Sequence, residues 1–267
     1  MDSLILWVVG FTALGGALSA VAAGAFLLLP ARTRARLLAP LVSFAVGALL
    51  GAALLGLLPH ALSHGAAPER VTLTLLLGLL VFFVLEKMVI WRHCHADDCE
   101  VHGHAEHEIS AHAVEHARQQ AAGKLILIGD GIHNLVDGVL IAAAFITDLQ
   151  LGIVTSIAVI AHEIPQEVGD FAILLNSGYS RARAFLFNIL SGLTTIVGGV
   201  VAYLSLSFAQ QAVPYVLAIA ASSFLYIAVA DLIPGLHKRP EFSATVQQVG
   251  LIGIGVAVIF AVQLMLH

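Results

Sequence analysis

The chain has 267 residues, 59% of them hydrophobic and 11% charged, with a formal net charge of −5 and a mean hydropathy of +0.96. An ordinary soluble domain carries about 25% charged residues. So little charge cannot wet the surface of a 28.0 kDa body. That excludes a soluble enzyme, a nucleic-acid binder and a disordered chain. The two cysteines, Cys94 and Cys99, set up no disulfide framework.

A hydrocarbon core about 30 Å thick takes about 20 apolar residues in a helix. Eight stretches qualify: 4–29, 41–62, 71–91, 123–146, 151–176, 181–207, 213–236 and 246–266. The expected fold is an all-α membrane protein with eight transmembrane helices, one transmembrane domain over 1–267. Barrel strands would alternate apolar and polar residues, and these runs do not. The first stretch follows Met1-Asp2-Ser3 with no basic segment before it, so it is expected to stay as a span rather than be cleaved as a signal peptide. Glycines inside the spans, such as Gly47, Gly51, Gly198 and Gly199, suit close helix approach.

Basic residues orient the chain. Eleven of the twelve Lys and Arg fall at the first, third, fifth and seventh connections, and only Arg70 falls on the other side. Those connections are expected in the cytoplasm and both termini outside, in a bacterial inner membrane. The third connection, 92–122, is long, polar and His-rich, and is expected to be a cytoplasmic loop. Its candidate metal ligands are His93, Cys94, His95, Cys99, His102, His104 and His107. The other reading of this loop is a solvated linker.

Ionisable groups inside a span are costly and are functional candidates by default. They concentrate in the fourth and fifth spans. Asp130, His133, Asn134 and Asp137 follow i, i+3, i+4, i+7, one face of a helix. On the fifth span His162 and Gln166 are one turn apart, as are Glu163 and Glu167, and Asp170 continues that face. Imidazole with carboxylate suits Zn²⁺ and similar divalent ions. Without a cation, several carboxylates would lie uncompensated in low dielectric. Pro165 cannot bond the carbonyl of Ala161, so a kink is expected beside His162. His60, near the outer face, and Asp231, in the seventh span, are lesser candidates for the ion pathway. The bland alternative is interhelical hydrogen bonding as structural glue.

The motifs His133-Asn134-x-x-Asp137-Gly138 and His162-Glu163-x-Pro165-x-Glu167-x-Gly169-Asp170 resemble the signature of the ZIP (Zrt/Irt-like) metal transporters. The resemblance extends over nearly the whole chain. It implies a 3+2+3 arrangement, with spans 1–3 and 6–8 as inverted repeats around spans 4 and 5. It also implies a binuclear centre. His133, Asp137, His162 and Gln166 would form one site, and Asn134, Asp137, Glu163 and Gln166 its neighbour, with Glu167 close by. Asp130 and Asp170 would stand behind the ligands or on the pathway. The family subgroup commonly has His at the position of Gln166, and Asp and His at those of Ala52 and Gly56. The expected activity is transport of a divalent cation, Zn²⁺ first, with Fe²⁺, Mn²⁺ or Cd²⁺ as other cargoes. No cofactor and no enzymatic activity are expected, and a homodimer is one assembly open to it. An intramembrane metalloprotease would need H-E-x-x-H, which His162-Glu163-Ile164-Pro165-Gln166 lacks. A metal sensor using the same site without transport is the other alternative.

Overall fold

A computed structural model describes residues 2–63, 65–94, 111–206, 208–238 and 241–266. Among them there are helices and short connections and no strand. In chain order the α-helices are α1 (Asp2–Gly15), α2 (Ala17–Leu27), α3 (Ala31–Gly51), α4 (Leu58–Ser63), α5 (Pro68–Cys94), α6 (Ala111–Thr147), α7 (Leu149–Asn176), α8 (Arg181–Leu206), α9 (Val213–Tyr226), α10 (Ile233–Leu236) and α11 (Phe242–Leu266).

Among the described residues, seven helical stretches are long and apolar enough to cross a bilayer. The long helix left out is α7, with 28 residues. The residues that lower its hydropathy are the polar ones that mark it for function: His162, Glu163, Gln166, Glu167 and Asp170. Helix also takes both ends of the long third connection, because α5 runs to Cys94 and α6 starts at Ala111. His93 and Cys94 thus sit at the end of α5. His95, Cys99, His102, His104 and His107 lie outside the described residues.

Helices α6 and α7 form a tight antiparallel hairpin. Asp148 caps α7, its carboxylate accepting from the Leu151 backbone N–H at 3.0 Å. This turn sets the register. Asp137 and His133 lie 11 and 15 residues before Asp148, and His162 and Glu163 lie 14 and 15 after it. At 1.5 Å per residue both pairs are about 20 Å from the turn, deep in a bilayer.

Around the hairpin, α6 packs on α8, and α7 on α2 and α3, while α3 pairs with α11 and α5 with α9. The α6–α8 contact is close enough to need glycine. A Cβ on Gly138 would fall 1.9 Å from the Thr195 carbonyl oxygen, and one on Gly198 would fall 2.0 Å from that of Leu135. The buried core runs along Val46, Leu49, Leu140, Phe145, Leu217 and Phe224. Leu73, Leu76, Leu77 and Leu80 of α5 are exposed, as suits a helix facing lipid.

Among the described residues two π-helical turns interrupt the bundle, at Ala52–Leu57 between α3 and α4 and at Ile227–Leu232 between α9 and α10. Each leads into a proline, Pro59 and Pro234. A proline donates no hydrogen bond and its ring crowds the carbonyl four residues back. The wider turn takes up that strain through bonds of i→i−5 type, from Leu58 to Ala53 and from Ile233 to Ala228.

Candidate metal centre

Four side chains meet where the α6 and α7 faces oppose each other. One ligand atom from each of His133, Asp137, His162 and Glu163 lies within 4.8 Å of all the others. His162 Nε2 is 3.1 Å from Asp137 Oδ2 and 3.6 Å from Glu163 Oε1. His133 Nε2 is 3.4 Å from Glu163 Oε1, 3.8 Å from Asp137 Oδ2 and 3.3 Å from His162 Nε2. The i, i+4 pair on α6 and the adjacent pair on α7 make this possible, since both project from facing sides of antiparallel helices.

The tautomer of His162 follows from its other nitrogen. Nδ1 is 3.0 Å from the Ala158 carbonyl oxygen, which can only accept, so Nδ1–H donates there. In the neutral ring Nε2 then carries a lone pair, turned toward the Asp137 carboxylate. A backbone acceptor on the far nitrogen is the usual way a metal-binding histidine is oriented. Asp137 and Glu163 are 0% exposed, and no carboxylate oxygen of either has a hydrogen-bond partner among the described residues. Acceptor atoms therefore face acceptor atoms across a gap of ion size. Such a set needs a cation or protons between its members. His133 is half-buried and gives the centre its most accessible ligand.

Asn134 is engaged on both sides of its amide. Its Nδ2 donates to Asp130 Oδ1 at 2.9 Å, and its Oδ1 accepts from Thr195 Oγ1 at 2.7 Å. In this conformation it ties α6 to α8. Gln166 is half-buried on α7, one turn past His162. Glu167 is fully buried, with neither carboxylate oxygen partnered. Asp130 and Asp170 are also buried. His60 lies away from this group, its Nδ1 donating to the Gly56 carbonyl at 2.9 Å. Asp231 is exposed within the second π-turn. Two supporting groups carried no sequence signal of their own as orienting partners, the Ala158 carbonyl and Thr195. The one available hint was their spacing: Ala158 lies four residues before His162, and Thr195 lies in the glycine-rich stretch of α8 that touches α6.

A family model described as "ZIP Zinc transporter" matches residues 4–263. The chain belongs to the ZIP family. It is an integral membrane protein. Among its relatives is zinc transporter zipt-7.1 of Caenorhabditis briggsae, 30% identical over 284 residues, covering 90% of this chain and 72% of that protein. Zinc transporter ZIP13 of Pongo abelii is 31% identical over 232 residues, covering 82% and 64%. Zinc transporter ZIP4 of Mus musculus is 41% identical over 133 residues, covering 48% of this chain and 20% of the mouse protein. The chain thus spans a small part of the ZIP4 relatives and most of zipt-7.1.

Proposed function

We propose that the protein carries a divalent cation, Zn²⁺ first, across the membrane into the cytoplasm through the centre between α6 and α7. The observation that carries this reading is the facing of lone pairs: His162 Nε2, held by Ala158, against the unpartnered oxygens of Asp137 and Glu163. Nitrogen and carboxylate ligands together suit Zn²⁺ and its borderline neighbours. The family membership and the printed names of the relatives point the same way.

In this reading the ion exchanges water for imidazole and carboxylate, and its charge compensates acids that lipid would otherwise isolate. Gln166 and Glu167 complete a neighbouring site with Asn134, Asp137 and Glu163, once Asn134 turns from Thr195. An amide at Gln166 is a weaker ligand than imidazole, and weak ligands favour release. An inside-negative potential contributes about 2.3 kcal/mol per charge per 100 mV, so a divalent cation is drawn inward. The His-rich loop would capture the released ion on the cytoplasmic side, and both termini would lie outside.

The architecture proposed for this cycle is eight spans in a 3+2+3 arrangement, with α7 as the fifth span. Two features support inverted repeats. The π-turn followed by proline occurs once in each outer half. The pairing of α5 with α9 mirrors that of α11 with α3. Rocking of these halves about the α6–α7 hairpin would expose the centre to each side in turn. The test is Zn²⁺ flux into proteoliposomes. His133→Ala and Asp137→Ala are each expected to reduce flux to the protein-free background, and undiminished flux in both would refute the site.

A further inference from the structure

The two polar faces do not stop at the centre. Asp130 lies three residues before His133 on α6, and Asp170 seven after Glu163 on α7. Because the helices are antiparallel, both displacements run the same way, toward the end of the bundle marked by Arg181 and Arg183. At 1.5 Å per residue they amount to about 5 and about 10 Å. The Asp170 carboxylate meets that of Asp130. Glu167 lies between Glu163 and Asp170 in the α7 sequence and is fully buried.

The third wall of this space is α8. Ser191 is 6% exposed, and its Oγ makes no hydrogen bond of regular geometry among the described residues. That oxygen is turned onto the Asp130–Gly131 turn: it neighbours Asp130, and a Cβ on Gly131 would lie 3.6 Å from it. One turn away, Asn188 donates its Nδ2 to the Glu167 carbonyl at 3.1 Å. Its buried Oδ1 is left unpartnered, like Asp130 Oδ2 and both Glu167 carboxylate oxygens. Two buried carboxylates in contact, with a hydroxyl beside one of them, form an oxygen-only donor set, and α8 brings the Asn188 amide to the neighbouring turn of α7. Hard and borderline divalent ions such as Mn²⁺ accept such sets, and Zn²⁺ holds them less firmly than an imidazole-containing one.

We propose that Asp130, Asp170 and Ser191, with Asn188 and Glu167 alongside, form an inner oxygen-only cation site that takes the ion from the histidine centre before its release. As a step in transport this rests on the reading above, but the site's capacity to bind does not. Handing an ion from mixed nitrogen and oxygen ligands to oxygen alone weakens its hold at the end where it must leave.

Mn²⁺ bound to the purified full chain in lipid nanodiscs separates the two sites, because pulsed electron paramagnetic resonance detects ¹⁴N coupling only at the histidine centre. His133→Ala and His162→Ala together with Asp137→Asn and Glu163→Gln should empty the histidine centre, removing the nitrogen-coupled Mn²⁺, and leave an uncoupled population. Adding Asp130→Asn and Asp170→Asn should remove that population as well. Asparagine at 130 keeps an oxygen able to accept from Asn134, so the α6 side is preserved. Ser191→Ala, which removes one neutral ligand, should weaken the uncoupled population without abolishing it. In the variant with the centre emptied, an uncoupled Mn²⁺ signal indifferent to Asp130 and Asp170, or no signal at all, overturns the inner site. Failure of the central reading looks different: wild-type protein without ¹⁴N-coupled Mn²⁺, whatever happens at the aspartates.

Discussion

A single hydrogen bond fixes which nitrogen His162 turns toward Asp137 and Glu163. With Nδ1–H held by the Ala158 carbonyl, Nε2 is the nitrogen turned into the centre. Glutamine and asparagine cannot reproduce both contacts at once. His162→Gln is therefore expected to lower Zn²⁺ affinity while leaving the fold intact, measured by metal titration beside thermal unfolding in detergent. The Asn134–Thr195 bond makes the opposite prediction. Thr195→Val leaves a buried acceptor unsatisfied and should cost about 1–3 kcal/mol of stability. Zn²⁺ binding by His133, Asp137, His162 and Glu163 should survive it. If Thr195→Val abolishes that binding and leaves the unfolding temperature unchanged, the Asn134–Thr195 bond supports the metal centre rather than the packing of α6 on α8.

At the scale of elements, the two π-turns mark where helices must yield. Pro59 and Pro234 each deny a helix one hydrogen bond, and the i→i−5 turn before each accommodates the ring. Alanine at either position restores the donor and permits a regular α-helix. Pro59→Ala and Pro234→Ala are expected to raise the unfolding temperature and slow Zn²⁺ flux, since a straightened helix resists rocking. Faster flux with unchanged stability would show the turns to be static. Sequence reading finds the prolines but not the π-turns, because the backbone can accommodate a proline by a kink, a break or an inserted residue. The polar faces on α6 and α7 were legible because i, i+3, i+4, i+7 spacing is a property of one helix. That Nε2 of His162 comes to 3.1 Å from Asp137 was not, because it depends on the mutual rotation of two helices.

For the whole molecule, glycine contacts set how near the helices come. The Gly138 and Gly198 positions leave no room for a methyl group against α8 and α6. Gly138→Ala should push these helices apart and shift Asp137 with its own helix. Overpacking of this kind costs about 1–3 kcal/mol or more. The expected result is protein that inserts in the membrane yet unfolds at lower temperature and loses Zn²⁺ affinity. Unchanged affinity would mean that the α6–α7 hairpin holds the centre without support from α8. The pairing of α5 with α9 and of α3 with α11 surrounds that hairpin with helices whose outer faces, such as Leu76 and Leu80 of α5, suit lipid.

Composition alone placed the protein in a membrane, because 11% charged residues cannot solvate its surface, and helical spacing alone put acids and imidazoles on one face of each of two helices. Both are local properties, readable along a single strand of text. Only the tertiary structure decided that Asn134 binds Thr195, that Ala158 sets the tautomer of His162, and that Ser191 turns its hydroxyl onto Asp130. Those contacts join residues of different helices or a side chain to a particular carbonyl. The two contacts between helices follow from inter-helix distance and rotation, which the glycine approaches and the Asp148 turn establish and no periodicity encodes; the Ala158 bond lies within α7 and depends on the rotamer that packing gives His162.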